Sequence, residues 1–175
     1  MEQEGRGMTE KVILDATCGS RMMWFDRYCD HALYMDKRVV DNETIWTSKD
    51  GKNVRTLTVD PDVVADFTDM PFEDETFYLV VFDPPHLRSI SETAWLAKKY
   101  GRLFGGWENV IHDGFKECMR VLKPYGTLVF KWNENDIPIR EVIDAIGDEP
   151  LFGTRTGKRG FTHWCVYMNF PKDGG

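Results

Sequence analysis

The stretch FYLVVFDPPHL, residues 77–87, joins an apolar strand to an acidic turn that two prolines stiffen. The almost unbroken apolar run over 77–82 is typical of a central parallel strand that is buried on both faces. The prolines end the strand pairing because they lack a backbone donor, and the residue before a proline is extended. Asp83 therefore lies at the carboxyl end of a strand, where open α/β sheets bind their ligands.

Two earlier segments show the same pattern of a strand followed by an aspartate. VILDATCGS runs from a strand at 12–14 through Asp15 and a Gly-containing turn into RMMWFDRYC, residues 21–29, whose spacing predicts a helix. A second strand at 32–35 ends on Asp36. The interval of about twenty residues between the two acids is the one at which nucleotide-binding folds place a ribose-binding carboxylate.

The remaining chain completes an alternating order of strands and helices. Residues 42–59 have β-branched runs on both sides of an Asp-Gly pair, which predicts a β-hairpin insertion after strand 2, where many α/β folds carry a helix. Further predicted elements are a strand at 63–65 that ends at Asp66, a helix with a mobile loop over 88–106, a helix over 107–123, a strand over 127–132, a short helix over 139–147 and a terminal hairpin over 151–170. This order describes an α/β, Rossmann-like doubly wound sheet whose topology brings all four aspartates to one edge.

Length and composition predict one globular domain. The 175 residues suit a single domain at 12–170 between flexible segments at 1–11 and 171–175. No apolar run approaches the ~20 residues that span a bilayer, and the polar start lacks a secretory signal, so we expect no membrane association and a cytoplasmic protein. The four cysteines have no C-x-x-C spacing, which predicts reduced thiols and no metal site.

The charge balance argues against a general affinity for polyanions. Asp and Glu number 29 against 22 Lys and Arg, for a net charge of −7. A nucleic-acid substrate would therefore need a local basic patch that overcomes this field.

Five motifs over residues 12–168 resemble, in order, those of the class I S-adenosylmethionine (SAM)-dependent methyltransferases. DATCGS resembles the cofactor loop, MDKR the ribose strand end, ADFTDMPFEDETF the adenine region, DPPH the catalytic strand end, and ECMRVLKPYGTLVFKW the following helix and fifth strand. The resemblance implies a seven-stranded sheet with a C-terminal antiparallel hairpin, and SAM as the cofactor.

The resemblance also implies which residues bind the cofactor. Gly19 would permit close approach of the methionine part because it has no Cβ, and Asp36 would accept from the ribose hydroxyls. Asp66 and Phe67 would contact the adenine. The implied cofactor-binding residues are Asp15, Ala16, Thr17, Cys18, Gly19, Asp36, Asp66, Phe67 and Asp83. Arg21 stands where the family loop usually has a second glycine.

The DPPH turn resembles the D/N-P-P-aromatic site of enzymes that methylate planar amino groups. Their targets are adenine N6, cytosine N4, guanine N2 and, with asparagine first, glutamine side chains. The implied catalytic residues are Asp83, Pro84, Pro85 and His86. The Asp83 carboxylate and the Pro84 carbonyl would accept the two N–H bonds and aim the nitrogen lone pair at the methyl group. His86 replaces a large stacking aromatic ring, so it either stacks less strongly, recognises a different acceptor, or packs beside the cleft.

Two basic clusters with interleaved aromatic residues are candidates for the binding of DNA or RNA. The segment after DPPH carries Arg88, Lys98, Lys99 and Arg102 among Trp95, Tyr100 and Phe104, and the terminal hairpin turn carries Arg155, Lys158 and Arg159. Such clusters suit a phosphate backbone with a flipped base, and they equally suit solvated faces of an acidic protein. Because the chain has no room for a separate recognition region, it would be unspecific, read RNA structure, or use a recognition subunit.

Three alternatives stay open at this point. Asp83 with Lys131, a further candidate substrate-binding residue, resembles half of the Lys-Asp-Lys-Glu set of ribose 2′-O methyltransferases, although the terminal strand FTHWCVYM has no glutamate. A non-catalytic methyltransferase-like subunit is favoured by Arg21. Methylation of a small molecule or of a protein glutamine is compatible with the acidic net charge.

Overall fold

The computed structural model describes residues 10–88, 91, 94–103 and 105–171, without the Tyr100 side chain. Its elements are β1 (Ile13–Asp15), β2 (Ala32–Asp36), β3 (Val40–Thr47), β4 (Val54–Val59), β5 (Val63–Val64), β6 (Phe77–Phe82), α1 (Trp95–Tyr100), α2 (Trp107–Val121), β7 (Leu122–Asn133), α3 (Ile139–Ile146), β8 (Phe152–Thr156) and β9 (Thr162–Met168). The predicted flexible termini lie mostly outside the described residues, as do Phe104 and the ring of Tyr100.

Seven strands form one sheet in the order β5-β2-β1-β6-β7-β9-β8. The central strand β6 is parallel to both neighbours, with Val80 opposite Leu14 of β1 and Leu128 of β7. These three side chains are fully buried, as the apolar run of β6 predicts. The strands β9 and β8 add an antiparallel hairpin at the edge. The predicted Rossmann-like sheet with a C-terminal hairpin is confirmed.

The predicted hairpin insertion is also confirmed. Strands β3 and β4 form a separate two-stranded antiparallel sheet between β2 and β5. Ile45, Leu57 and Val59 form a small core of this hairpin, and Trp95 of α1 packs against it. The hairpin therefore supports α1, which belongs to the segment that follows the DPPH turn.

Residues 21–29, predicted to be helical, form a series of turns instead. Arg21 has a left-handed backbone with φ of 54°, and the Trp24 ring turns inward to pack on Tyr34. Cys29 packs on the same cluster, but Met22 is 55% exposed and Phe25 is fully exposed, so the segment does not bury one continuous apolar face. Helical spacing alone therefore misled the prediction, because an amphipathic helix forms by burying its apolar face.

The helix predicted over 107–123 ends earlier, at Val121, and the strand predicted over 127–132 begins earlier, at Leu122. The strand continues past Pro124 because Tyr125 adopts a φ of 62° and the register with β6 shifts there. A bulge of this kind accommodates a proline within a strand.

The two faces of the sheet are covered differently. Helices α2 and α3 pack over the main core, which includes Met35, Phe115 and Val142. Ala32 and Tyr34 alternate with Met35 along β2 and so lie on the other face, where Trp24 from the 21–29 turns covers them. In the described part of the chain, no helix is both long and apolar enough to cross a membrane.

Candidate active site

A cavity of about 390 Å³ opens at the carboxyl ends of the parallel strands. Its volume lies within the range of small-molecule sites, roughly 300–1,000 Å³. The predicted site residues that line it are Ala16, Thr17, Cys18, Gly19, Asp36, Phe67, Asp83, Pro85, Lys99, Arg102 and Lys131. One cavity thus brings together residues from most of the motifs that the sequence suggested.

The first of the strand-end carboxylates, Asp15, is buried and does not line the cavity. Its Oδ2 accepts a hydrogen bond from Trp24 Nε1 at 2.6 Å, and its Oδ1 accepts one from the Thr17 backbone at 3.2 Å. Burial raises the pKa of Asp15 from 3.8 to about 6, against the lowering effect of these hydrogen bonds. Asp15 therefore stabilises the cofactor loop through Thr17 and Trp24, and it does not line the cavity.

The second carboxylate, Asp36, is almost fully buried at the tip of β2 and is closely surrounded by donors. Its Oδ1 accepts from the backbone N and the Nε of Arg38, at 2.9 and 3.0 Å. Its Oδ2 accepts from the Gly19 backbone at 3.0 Å and from Arg38 Nη2 at 3.1 Å. Asp36 thus ties the cofactor loop to the end of β2.

Arg38 extends this network to α1. Its Nη1 donates to the backbone carbonyl of Lys98 at 3.1 Å and lies 3.5 Å from that of Lys99. A Lys98–Glu43 ion pair at 2.6 Å and the Arg55 guanidinium over the Trp95 ring add contacts between α1 and the β3–β4 hairpin. Helix α1 is therefore held beside the cavity by Arg38 and by the hairpin insertion.

The cofactor loop has the left-handed backbone that glycine favours at two positions. Gly19 has a φ of 48°, and Arg21, at the position of the family's second glycine, has a φ of 54°. The Arg21 guanidinium packs between neighbouring elements, with Nη2 2.6 Å from the Asp60 carbonyl and its carbon 3.9 Å from the centre of the Tyr34 ring. The arginine therefore keeps a glycine-like backbone while its side chain packs elsewhere.

Cys18 lines the cavity but carries no reactive thiolate. Burial raises the pKa of its thiol to about 12, and the nearby charges of Asp15 and Asp36 act in the same direction. All four cysteines are free, and no group of three or more potential metal ligands occurs among the described residues.

Asp66 and Phe67, both predicted to contact adenine, have different surroundings. Phe67 is buried, lines the cavity and packs edge-on against Phe82. Asp66 does not line the cavity; its carboxylate caps the following turn through the Thr68 backbone and hydroxyl, at 3.1 and 2.9 Å, and lies 3.5 Å from Lys37. These hydrogen bonds lower the pKa of Asp66 against the opposing effect of burial, which is the largest single influence.

The catalytic candidate Asp83 is anchored on two sides. Its backbone N–H donates to the Thr17 hydroxyl at 2.9 Å, which joins the DPPH turn to the cofactor loop. Its Oδ2 accepts from Lys131 Nζ at 2.5 Å, and the ammonium lies 5.7 Å from the centre of the Trp164 ring. In the described structure no hydrogen bond is made to Oδ1, so Asp83 keeps acceptor capacity in the wall of the cavity.

His86 lies beside this wall and does not line the cavity. Its ring meets Trp132 edge-on with centroids 6.1 Å apart. Burial lowers the pKa of His86, and a hydrogen bond to the Pro84 backbone together with the Asp83 charge acts in the opposite direction. The imidazole is therefore neutral at neutral pH.

The predicted substrate residues divide into two groups. Lys99, Arg102 and Lys131 line the cavity, whereas Arg88, Lys98, Lys158 and Arg159 do not. The Arg88 backbone N–H donates to Asp136 at 2.8 Å, and Lys158 and Arg159 are exposed at the tip of the terminal hairpin.

Several residues of the site were assigned no role from the sequence. Lys37 and Arg38 line the cavity although the MDKR motif gave a role to Asp36 alone, and Met22 and Met23 line it although their segment was predicted only as a helix. Gly114 of α2 leaves room for the Phe67 ring, since a Cβ at this glycine would come within 2.5 Å of it. The MDKR sequence shows a cation two residues after Asp36, but only the structure shows that the Arg38 side chain donates hydrogen bonds to the Asp36 carboxylate.

Neither a protein-family profile nor a curated protein sequence matches the chain. Among solved structures, a SAM-dependent methyltransferase from Methanosarcina mazei aligns over 94% of this chain and 96% of its own, with 12% identity and a TM-score of 0.51. A TehB-like SAM-dependent methyltransferase from Corynebacterium glutamicum aligns over 94% of this chain and 83% of its own, with 13% identity and a TM-score of 0.51. A SAM-dependent methyltransferase from Leishmania major aligns over 94% and 67%, with 14% identity and a TM-score of 0.50. The chain therefore has the fold that these SAM-dependent methyltransferases share.

Proposed function

We propose that this protein is a cytosolic methyltransferase that uses SAM to methylate an exocyclic amino nitrogen of a nucleic-acid base: adenine N6, cytosine N4 or guanine N2. One observation carries the proposal. The Asp83 carboxylate, the first group of the DPP turn, lines the same cavity as the glycine of the cofactor loop and the acid of the ribose strand end.

The residues of the cavity fit SAM. Gly19 has no side chain to obstruct the methionine part, and the apolar surfaces of Ala65, Phe67 and Met23 suit an adenine ring. Asp36 lies at the tip of β2, the position of a ribose-binding carboxylate. When bound, SAM supplies an electrophilic methyl group on a sulfonium.

The protein's own task is to position a poor nucleophile. The lone pair of a base amine is delocalised into the ring, so it reacts only when its N–H bonds are held out of the ring's conjugation. Asp83 Oδ1 is a suitable acceptor for one N–H, and the Pro84 carbonyl has a second lone pair beside the one that His86 engages. The Asp83 carboxylate, which Lys131 orients, then stabilises the positive charge that develops on the nitrogen before the proton leaves to solvent.

The decisive experiment is mass spectrometry of nucleosides after the protein has been incubated with isotope-labelled SAM and single- or double-stranded DNA or RNA. We expect a labelled N-methyl base with wild type and a loss of at least about 100-fold with Asp83→Ala, as when other preorganised transition-state contacts are removed. Asp113→Ala, which removes a mostly exposed carboxylate of α2, is the matched control and should keep full activity. Wild type that binds SAM but labels no base would exclude this function.

His86→Tyr tests the one departure from the family's turn. A tyrosine restores the large stacking ring, so we expect a lower KM for the polynucleotide and a changed pH profile. Activity and pH profile equal to those of wild type would mean that His86 only packs beside the cleft, edge-on against Trp132.

A second candidate function is ribose 2′-O methylation, which the Lys131–Asp83 ion pair favours because a lysine beside the acceptor lowers the barrier to hydroxyl deprotonation. The same nucleoside analysis discriminates, since the label would appear on ribose and not on a base. Calorimetry with SAM tests the non-catalytic alternative: absence of binding at millimolar SAM would favour a methyltransferase-like subunit that acts with a partner.

A further inference from the structure

We propose that a second cavity next to the cofactor cavity binds the phosphodiester backbone of a nucleic-acid strand, an inference that rests on the proposed function. This cavity of about 450 Å³, here called the basic cleft, lies between the 19–28 turns, β4 and α1. The residues that define it are Arg21, Arg27, Tyr28, Thr56, Thr58 and Lys99.

The basic cleft is continuous with the cofactor cavity. Gly19, Ser20, Met22 and Lys99 line both. A strand in the cleft would therefore lie directly beside the bound cofactor, and Lys99 of α1 would stand at the junction. The turns that replace the predicted helix over 21–29 create this cleft, because they leave the Tyr28 ring and the Arg27 side chain at the surface.

The charge of the cleft opposes that of the whole chain. Three cationic side chains line it against one carboxylate, Asp60, in a protein whose net charge is −7. Local positive charge in an acidic protein is what a specific anion site requires, since the overall field repels polyanions.

Arg21 provides a fixed positive charge. Its Nη1 and Nη2 donate to the backbone carbonyls of Arg27 and Asp60, at 2.9 and 2.6 Å, so its hydrogen-bond partners are neutral. The nearest carboxylate oxygen, on Asp62, lies 3.8 Å away. Two neutral carbonyls therefore hold the guanidinium in place, and its ion pair with Asp62 is long.

Arg27 and Tyr28 provide the accessible part of the cleft. In the described part of the chain, the Arg27 guanidinium makes no ion pair or hydrogen bond, and the side chain is exposed. The Tyr28 ring is 81% exposed, and the Arg21 guanidinium lies 5.6 Å from its centre. An exposed aromatic ring beside cations is the combination with which proteins bind single strands, the ring stacking on a base and the cations contacting phosphates.

The test is fluorescence anisotropy with labelled 12-nucleotide single-stranded DNA and RNA, titrated over a series of salt concentrations. The variants are Arg27→Gln and Tyr28→Ala, and the matched control is Lys116→Gln, which removes an exposed cation of α2. The double variant Lys158→Gln/Arg159→Gln tests the competing site at the tip of the terminal hairpin. We expect Arg27→Gln to weaken binding several-fold and to lower the slope of log K against log salt by about 0.7, the contribution of one phosphate contact in a single strand. Tyr28→Ala should weaken binding about fivefold or more with an unchanged slope.

The outcomes separate this inference from the proposed function. Labelled N-methyl bases together with wild-type affinity in Arg27→Gln and Tyr28→Ala would overturn the cleft and leave the function standing. Oligonucleotide binding that depends on Arg27 without any methyl transfer would support the cleft and exclude the function. Loss of binding only in the hairpin-tip double variant, an equal loss in Lys116→Gln, or equal competition by polyglutamate would overturn the cleft as a phosphodiester site. Calorimetry with SAM on each variant should give the wild-type Kd.

Discussion

Two carboxylates at the ends of parallel strands, Asp36 and Asp83, both contact a cation, but they differ in how much acceptor capacity remains. A carboxylate offers about four lone-pair positions. Asp36 accepts from four donors, three on Arg38 and one on Gly19. Asp83 accepts on Oδ2 from Lys131, and its other oxygen has no hydrogen bond in the described structure.

The difference shows that a strand-end acid can serve a site in two ways. Asp36 is satisfied within the protein and joins the cofactor loop to α1 through Arg38, so a ribose hydroxyl has to displace a donor to reach it. Asp83 is oriented by one cation and keeps an oxygen for a substrate without displacing any protein group. Variants of these groups, and of a third strand-end acid that has no cation, can test this distinction.

Asp15 is that third acid, and we expect its titration to give the largest effect, a change in the free energy of unfolding with pH. Its folded-state pKa of about 6 exceeds the ordinary 3.8 because the carboxylate is buried. The carboxyl group thus contributes stability that is fully present below pH 3.8 and is lost as the pH rises through 6. Asp15→Asn cannot titrate, so from pH 8 to pH 4 the free energy of unfolding of wild type should rise relative to that of the variant by about 2 kcal/mol.

Urea denaturation at a series of pH values measures this difference. Asp62→Asn is a useful control, because this carboxylate is 39% exposed and belongs to the same edge of the sheet. A constant gap between wild type and Asp15→Asn from pH 4 to pH 8 would show that Asp15 titrates like an exposed aspartate.

Lys131→Met removes the cation of Asp83 and should lower kcat roughly tenfold, since a small misplacement of a group that positions the substrate slows the reaction by one to two orders of magnitude. The KM for SAM should stay the same, because the ammonium is bonded to Asp83. Lys123→Met on the same strand is the matched control, as its ammonium lies over the exposed Tyr78 ring and away from the site. Equal kcat values in all three proteins would mean that Asp83 needs no cation to hold its orientation.

The strand-end acids could be located from the sequence, whereas their partners could not. Apolar runs that stop at an aspartate or a proline turn define the strand tips, and the topology of a parallel sheet brings those tips together, so Asp36 and Asp83 line one cavity as expected. The same pattern also selected Asp66, which caps its own turn through Thr68. Local spacing does not distinguish a carboxylate that serves the cavity from one that serves the backbone.

The turns over 21–29 show the other limit of sequence reasoning. Their apolar residues have helical spacing, but Trp24 is drawn inward by Asp15 of β1 and Tyr34 of β2, which lie outside the segment. The basic cleft depends on this packing between separate elements, so no motif within the segment could predict it. By contrast, the β3–β4 hairpin was predictable because an Asp-Gly turn between β-branched runs is a local signal.

Arg38→Met tests whether the hydrogen bonds from Arg38 to Asp36 compete with the ribose of SAM for this carboxylate. Without the guanidinium, a ribose hydroxyl reaches Asp36 with no donor to displace, and we expect the Kd for SAM to fall about fivefold, the value of roughly one net hydrogen bond. Lys37→Met, the neighbouring cation that also lines the cavity, should leave the Kd unchanged. Weaker binding of SAM by Arg38→Met in calorimetry would mean that the guanidinium stays in place and assists the ribose.

The smallest effect concerns Arg21, where the backbone and the side chain can be separated. Arg21→Gly and Arg21→Ala remove the same contacts with Tyr34 and the Asp60 carbonyl, but only glycine adopts a φ of 54° without strain. Arg21→Gly should therefore be more stable to urea than Arg21→Ala by about 1 kcal/mol, the strain of a left-handed non-glycine residue. Equal stabilities would show that the loop relaxes once the guanidinium is gone. The left-handed turn beside Asp36 would then be a consequence of the Arg21 contacts and not a requirement of the fold.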